Sequence, residues 1–187
     1  MVKLLTQACR VLLLLSVITG WMYPMIITGL AQLFFPWQAN GSLVSLHQNR
    51  VGSHWLGQNF DAEDYFWGRP SATADSAYNG LASGGSNWGP DNPDYLKWIH
   101  DRLTHFHESA QPIPVELITA SGSGLDPDIS SFAADYQVKR IADARQLSID
   151  VVKRLVQEHT QYRTLSLLGE PRVNVLQLNL ALDALRK

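Results

Sequence analysis

The chain has 187 residues, of which only 17% are charged, whereas about a quarter is usual in soluble proteins. Residues 11–46 contain no charged side chain. Two of the 15 basic residues, Lys3 and Arg10, precede this uncharged stretch, and 13 basic and 17 acidic side chains follow it, a net charge of −4. Because this larger part is mildly acidic and has no basic stripe, the composition argues against nucleic-acid binding. The only cysteine, Cys9, also precedes the stretch, which excludes a disulfide or a cysteine-based metal site from the rest of the chain.

Residues 11–35 are predicted to form a transmembrane helix. These 25 residues are uncharged, and as a helix they would measure ~37 Å, enough to cross a hydrocarbon core of ~30 Å with some tilt. A buried core helix would normally be shorter and carry a polar face. A cleaved signal peptide is the main alternative, because Gly-Leu-Ala at residues 29–31 has small side chains at cleavage spacing. The length of the apolar stretch, and its interruption by Trp21, Tyr23 and Pro24, favour the membrane helix.

The basic residues on either side of this helix predict its orientation. Lys3 and Arg10 precede it, and Arg50 is the first basic residue after it. The positive-inside rule therefore predicts that residues 1–10 lie in the cytoplasm and that residues 36–187 form a periplasmic, or extracytoplasmic, domain.

A row of small or polar residues recurs every four positions along the predicted helix, at Ser16, Gly20, Pro24 and Thr28. Small side chains let a second helix approach closely in lipid, so the row predicts a transmembrane packing face. Pro24 also lacks the amide that would bond the Gly20 carbonyl, which predicts a kink. The alternative is a plain lipid-facing anchor in which the small residues are incidental.

The remaining residues predict a mixed α and β domain. Residues 36–91 are rich in Gly, Ser and Asn and are typical of short strands and ordered loops, with residues 60–67 as a candidate strand. Further along the chain, residues 115–119 are a second candidate strand. Helix starts are predicted at Asn92, at Ser130 or Ser131, at Ser148 and at Asn174. The first of these helices should end near Ser109 and carry an apolar stripe of Tyr95, Leu96, Ile99, Leu103 and Phe106. The predicted fold class is an α+β extracytoplasmic domain with one N-terminal transmembrane helix.

Polar residues near the end of the Asn92 helix have the chemistry of metal ligands but not the spacing. They are His100, Asp101, His105, His107 and Glu108. No HExxH pair is present, and a solvated face opposite the apolar stripe accounts for the pattern, so no metal site is predicted.

A glycine-rich loop is the candidate for contact with an anion or nucleotide, through Ser83, Gly84, Gly85, Ser86 and Asn87. Backbone amides of such a loop can surround an anion. No Gly-Lys-Ser/Thr follows, so the loop is not a Walker motif. The alternative is a turn whose backbone torsion angles require glycine. The predicted topology also separates this loop from cytoplasmic ATP.

Two further sequence patterns give little support for a chemical function. Asp126 and Asp128 could contact a cation, but an EF-hand needs more alternating ligands, and acids are also favoured just before a helix. Gly122, Ser123 and Gly124 lack the spacing of a serine-hydrolase motif. The sequence therefore predicts no catalytic residue and favours a binding or assembly role.

Four stretches carry a resemblance to a known family. They are ITGWMYPMIITGLAQLFFPWQANGSL at residues 18–43, GQNF followed by YFWGRPSATADSAYNGLASGGSN within residues 57–87, PVELITASGSGLDPDIS at residues 114–130 and LGEPRVNVLQLNLALD at residues 168–183. Together they resemble the C subunit of the Kdp-type potassium-transporting P-type ATPase. The likeness runs over almost the whole chain in the family's order.

The resemblance implies a non-catalytic accessory subunit in the bacterial inner membrane. Its implied partners are a channel-like K+-translocating subunit, a P-type subunit that hydrolyses ATP, a small peptide subunit and membrane lipid. ATP and K+ are used by the complex, and no cofactor of this chain's own is implied. Family members are also described as catalytic chaperones that raise the pump subunit's affinity for ATP. With only residues 1–10 predicted in the cytoplasm, such an effect would be indirect, through membrane helices.

Two other functions remain open from the residues alone. One is a membrane-anchored periplasmic ligand-binding module or enzyme that acts alone, and the other is an exported soluble protein. The first predicts ligand binding or activity without partners, and the second predicts loss of about the first 31 residues.

Overall fold

The structure, a computed structural model, describes residues 1–106 and 111–185. It divides into two compact units, residues 1–43 and the residues from Val44 onward, which are called the helical unit and the main domain below. The predicted α+β class and the predicted apolar helix near the N-terminus are confirmed.

The helical unit is one long apolar helix followed by a short one. Helix α1 (Val2–Val17), a π-helical turn (Ile18–Met22) and helix α2 (Tyr23–Phe34) are continuous, and α3 (Pro36–Ala39) follows. The continuous helix has 33 residues, and its most apolar segment has a mean hydropathy of 1.9 with none of its side chains buried. By length and composition it is able to cross a membrane, and it begins nine residues before the predicted start.

The main domain opens with a hairpin and a long irregular segment. Strands β1 (Leu43–Leu46) and β2 (Asn49–Ser53) form a two-stranded sheet. His47 and Gln48 between them have φ angles of 48° and 68°, the left-handed pair that a tight hairpin turn requires. Residues 57–92 then contain no helix or strand.

The second half of the main domain is regular. Its helices are α4 (Pro93–Leu103), α5 (Ser131–Arg145), α6 (Ile149–Glu158) and α7 (Val175–Ala184), and its strands are β3 (Asp128–Ser130), β4 (Thr160–Gln161) and β5 (Arg172–Asn174). The three strands form an antiparallel sheet in the order β3-β5-β4, in which Val173 lies opposite both Ile129 and Thr160. Short 3-10 turns occupy Thr104–Phe106 and Val115–Leu117.

All four predicted helix starts are confirmed by their caps. The cap oxygens accept backbone N–H bonds of 2.8 Å at Asn92, 3.1 Å at Ser130, 3.4 Å at Ser148 and 3.1 Å at Asn174. Such caps depend only on neighbouring residues, because each satisfies an amide of its own first helical turn.

One hydrophobic core lies among the sheet and helices α5, α6 and α7. Its buried side chains include Phe66, Leu117, Ile129, Val138, Ile141, Val152, Val156, Val173, Leu178 and Leu182. Phe66 comes from the irregular segment, so this segment forms part of the core although it has no regular secondary structure.

The predicted strand at residues 60–67 is wrong, because side chains occupy the place of a neighbouring strand. The Phe66 N–H donates to Asn179 Oδ1 (2.9 Å), and Asn179 Nδ2 donates back to the Phe66 carbonyl (3.0 Å). Gln137 makes the same pair of bonds with the N–H (2.8 Å) and carbonyl (3.1 Å) of Trp67. These two amide side chains, each 1% exposed, are called the amide clamp. The clamp satisfies backbone groups that would otherwise need a sheet.

Two arginines of α5 extend this attachment. The Arg140 guanidinium donates to the Tyr65 carbonyl (3.0 Å) and lies 3.8 Å from the centre of the Trp67 ring. Arg145 Nε donates to the Asp64 carbonyl (2.6 Å). Helix α5 therefore holds the irregular segment by charge-assisted hydrogen bonds and a cation–π contact.

The predicted strand at residues 115–119 is also wrong. A 3-10 turn forms there, which buries Leu117 completely. Glu116 is committed to the chain ahead of α5, since its carboxylate accepts from the Ser130 N–H at 3.2 Å. Neighbouring side chains of a strand point to opposite faces. An extended backbone would therefore turn either Leu117 or Glu116 away from its present contact.

The apolar stripe predicted on the Asn92 helix is only partly buried. Phe106 is buried, whereas Leu96 and Leu103 are 57% and 37% exposed. The α-helix ends at Leu103 and continues as a 3-10 turn to Phe106. The predicted end near Ser109 lies outside the described residues.

Replacing Gln137 with Ala tests the amide clamp. The substitution leaves the N–H and carbonyl of Trp67 without partners, and each buried orphan costs about 1–3 kcal/mol. We expect the free energy of unfolding of the full-length chain in detergent to fall by roughly 2–4 kcal/mol in chemical denaturation. Gln157→Ala on α6 is the matched control, because Gln157 is exposed, and it should change stability by no more than about 0.5 kcal/mol. Equal effects of the two substitutions would contradict the clamp.

Candidate functional site

Pro24 produces a π-helical turn in the apolar helix. Proline has no N–H, so the Gly20 carbonyl loses its usual partner four residues later. The turn at Ile18–Met22 absorbs this defect, and the Tyr23 N–H donates to the Ile18 carbonyl, five residues back. The structure therefore has a π turn just ahead of Pro24, and the predicted kink stays a prediction.

The π turn affects the small-residue row of Ser16, Gly20, Pro24 and Thr28. In a regular α-helix each four-residue step rotates ~40° beyond a full turn, so the row would drift by ~120° over its length. A π turn holds about one more residue per turn, which removes most of that drift. The irregular turn thus brings the row closer to a single line along the helix.

The four residues of the row are also exposed. A Cβ atom built on Gly20 meets nothing within 4 Å, and the same is true of Gly29, which lies outside the row. Neither glycine is therefore required by packing within this chain. Use of the row as a packing face stays a prediction.

In the main domain, a joint forms between two of the stretches that carry the family resemblance. Arg69 Nη1 lies 3.0 Å from Asp126 Oδ2, and the Ser71 hydroxyl donates to the Gly124 carbonyl at 2.7 Å. The Ser121 N–H donates to the Pro70 carbonyl at 3.1 Å. An ion pair and two hydrogen bonds thus join segments that are about 55 residues apart, as part of one folded unit.

Tyr78 completes this joint. Its N–H donates to the Ser71 hydroxyl at 2.8 Å, and its phenol donates to the Arg69 carbonyl. Tyr78 has a φ angle of 57°, which is uncommon for a bulky residue, so these contacts hold a strained backbone. Burial raises the pKa of the Tyr78 phenol to about 12.

The glycine-rich loop at Ser83, Gly84, Gly85, Ser86 and Asn87 lies against the loop at residues 121–124. The Gly84 N–H and the Ser83 hydroxyl both donate to the Ser123 carbonyl, at 2.9 and 3.1 Å. A Cβ atom on Gly85 would lie 3.1 Å from the Gly122 carbonyl oxygen, so close approach explains this glycine.

The torsion-angle explanation is wrong for these two glycines, because only Asn87 in the loop has a positive φ, 54°. Contact of the loop with an anion or nucleotide stays a prediction. The Gly84 amide would have to leave its present partner to take part.

The two acids considered as cation ligands are both paired. Asp126 binds Arg69, and Asp128 Oδ2 lies 3.0 Å from Arg172 Nε while its other oxygen accepts from Asn174 at 3.1 Å. Burial raises the pKa of Asp128, and the Asn174 hydrogen bond and Arg172 oppose this rise. Their arrangement accounts for both carboxylates as structural groups.

The polar residues of α4 do not come together as a ligand set. Among residues 1–106 and 111–185, no group of three or more His, Cys, Asp or Glu side chains is placed to hold a metal ion. His105 Nδ1 is instead 2.9 Å from the Asp101 carbonyl oxygen. His107 and Glu108 lie outside the described residues.

An exposed apolar tip that was not predicted from the sequence lies between β4 and β5. Leu165, Leu167 and Leu168, called the leucine tip, are 82%, 79% and 66% exposed. The tip is ordered by hydrogen bonds of 2.8 and 3.0 Å between Thr164 and Leu168, and by an ion pair of 2.7 Å between Arg163 and Glu170 at its base. A rigid apolar projection of this kind is typical of an interaction surface.

The leucine run gives no periodic signal, because three apolar residues within a short stretch suit a buried strand equally well. The nearby Gly169-Glu170-Pro171 sequence, which predicts a break in regular structure, was the signal that could have indicated a turn here. Leu165 and Ser166 have φ angles of 54° and 60°, the left-handed conformations typical of a tight turn.

The pKa of Tyr78 predicts a loss of stability at alkaline pH. In the unfolded chain the phenol ionises near pH ~10, whereas in the fold it keeps its proton up to about pH 12. The folded state therefore binds more protons in this window, and the free energy of unfolding should fall by ~2–3 kcal/mol as the pH rises through it.

Denaturation curves of the full-length chain at several pH values measure this slope. Tyr78→Phe should flatten it, while lowering stability by ~1 kcal/mol at neutral pH through the lost hydrogen bond. Tyr162→Phe is the matched control, since the Tyr162 side chain is 74% exposed. An unchanged slope in Tyr78→Phe would show that another group causes it.

Comparison with known proteins gives one family. The family model described as "KdpC: K+-transporting ATPase, c chain" matches residues 5–184. The match includes the apolar helix, the joint and the leucine tip.

Curated relatives agree in name and in length. Proteins called "Potassium-transporting ATPase KdpC subunit" are similar to this chain in Methylococcus capsulatus (52% identical, with 100% of both chains covered) and in Serratia proteamaculans (53% identical, with 94% of this chain and 95% of the relative covered). A relative of the same name in Herpetosiphon aurantiacus is 50% identical, with 96% and 95% covered.

Proposed function

Because the chain belongs to the KdpC family of K+-transporting ATPase c chains, we propose that it is a non-catalytic subunit that assembles and stabilises an ATP-driven K+ uptake complex. The observation that carries this proposal is the match over residues 5–184, which includes both the apolar helix and the main domain. The proposed partners are a channel-like K+-translocating subunit, a P-type ATP-hydrolysing subunit and a small peptide subunit.

The proposed topology is a single pass through the bacterial inner membrane. An apolar helix of 33 residues with no buried side chains in its most apolar segment supports a lipid environment for this segment. Lys3 and Arg10 at its start support a cytoplasmic N-terminus, and the main domain then lies in the periplasm.

Within the membrane, the small-residue row is the proposed packing face against a helix of the channel-like subunit. Lipid tails are as apolar as leucine, so helices associate in a bilayer through close packing rather than through the hydrophobic effect. The open surface at Gly20 and the realignment by the π turn both support close approach along this row.

Replacing Gly20 with Leu tests this face. The larger side chain has room in the isolated chain, because nothing lies within 4 Å of the added Cβ. It would separate the two helices in the complex, so we expect co-purification with the other subunits in mild detergent to fall about tenfold or more, equivalent to roughly 1.4 kcal/mol.

Gly29→Leu is the matched control, since it makes the same change on the same helix at an equally open position outside the row. It should leave co-purification close to that of the unmodified chain. Release of the subunit by both substitutions, or by neither, would count against the row.

In the main domain, the leucine tip is the proposed second contact with the complex. Its side chains are exposed and its backbone is already ordered, so docking would bury apolar area without first ordering a loop. Arg163 and Glu170 neutralise each other at the base of the tip, which suits an uncharged protein surface.

The double substitution Leu165→Ser and Leu167→Ser tests the tip. Each buried leucine contributes about 1.5–3 kcal/mol, so co-purification should fall by more than tenfold while the melting temperature of the isolated subunit stays unchanged. The double substitution Leu81→Ser and Val115→Ser is the control, because these side chains are 99% and 67% exposed elsewhere on the domain. Equal loss with the control would mean that general surface polarity matters rather than the tip.

The subunit's effect on ATP affinity is proposed to be indirect. In the proposed topology the glycine-rich loop at residues 83–87 lies in the periplasm, away from cytoplasmic ATP. A helix packed along the small-residue row can instead favour one conformation of the membrane subunits, and coupling of this kind changes affinity at a distant site.

A further inference from the structure

A cleft of about 260 Å³ lies between the irregular segment and α4 of the main domain. Its polar and aromatic lining includes Asp61, Arg69, Tyr78, Trp98, Arg102 and His105. None of its lining residues belongs to the leucine tip or to the small-residue row, and neither the family resemblance nor the proposed assembly role gives it a function.

The two arginines of this cleft differ in how they are compensated. Arg69 forms its ion pair of 3.0 Å with Asp126. Among the described residues, Arg102 donates one long hydrogen bond, from Nη2 to the Leu117 carbonyl at 3.3 Å, and its buried Nε has no hydrogen-bond partner there. Within the described part of the chain, no carboxylate lies within 4.0 Å of the Arg102 guanidinium.

This arginine is a partly desolvated cation. Burial lowers the pKa of Arg102, and Tyr78 and Asp61 oppose that change only from a distance. A guanidinium in such surroundings favours an anion, because the anion replaces the hydrogen bonds and the solvation that water no longer provides. A carboxylate matches the planar pair of N–H donors of the guanidinium.

We propose that the cleft binds a single carboxylate group through Arg102, with Tyr78 and Trp98 beside it. The volume is below the ~300–1,000 Å³ usual for ligand pockets, so it suits a small organic acid or one Asp or Glu side chain and not a nucleotide. Asp61 is exposed on the same cleft, and its negative charge disfavours a dianion such as phosphate relative to a monocarboxylate.

The carboxylate has two possible sources, a free acid or an acidic side chain of another subunit, and two measurements separate them. In the first, sodium butyrate and sodium phosphate are titrated at equal ionic strength into the full-length chain in detergent, and the melting temperature is followed. A saturable rise with butyrate and none with phosphate, lost in Arg102→Met, supports binding of a free carboxylate.

In the second, Arg102→Met is introduced into the whole complex and co-purification is measured. A fall of fivefold or more, without butyrate binding by the unmodified chain, supports an acidic side chain of a partner as the occupant. Lys97→Met is the matched control for both measurements, because it removes one positive charge from the exposed side of the same helix.

The folding of Arg102→Met is checked by its own melting temperature, which should be equal or higher because a poorly compensated cation is removed. Arg102→Lys keeps the charge without the fork and should bind less than the unmodified chain but more than Arg102→Met. The proposal is overturned if butyrate has no effect and Arg102→Met co-purifies normally. It is equally overturned if Lys97→Met behaves like Arg102→Met, or if phosphate acts like butyrate.

Discussion

The amide clamp is the interaction on which the main domain depends. Residues 57–92 have no regular secondary structure, and a segment of this length can be ordered only if its backbone groups find partners elsewhere. Gln137 and Asn179 supply them by bonding the N–H and carbonyl of Trp67 and Phe66, so the segment is attached to α5 and α7 at adjacent residues. Everything that follows in the segment, including the Arg69 joint, takes its position from this attachment.

Local signals in the sequence predicted local structure well and failed where distant residues decide. Asn92, Ser148 and Asn174 were identified as helix caps, and Ser130 as one of two candidates, because a cap bonds within its own first turn. The supposed strand at residues 60–67 failed for the opposite reason, since its partners are side chains more than 65 residues away.

The proposed contact surfaces follow the same division. The small-residue row was visible because helical spacing is regular, although its realignment by a π turn was not, since the position of such a turn depends on how the helix absorbs the missing amide of Pro24. The leucine tip was invisible because a run of leucines has the same composition in a core and on a surface. Only the pairing of β4 with β5 determines that Leu165 and Leu167 point outward.

The polar groups considered as ligands from the sequence are used by the fold of the main domain itself. Asp126 and Asp128 are neutralised by arginines, and the Gly84 amide already has a carbonyl partner, so these groups are committed to the fold. Among the described residues, three groups without such partners are of a different kind: Gly20 on the apolar helix, the exposed leucine tip, and the poorly compensated cation of Arg102. Each of these groups is of a kind that a second molecule can complement, a packing surface in the first two cases and a negative charge in the third, which is the common ground of the proposed contacts.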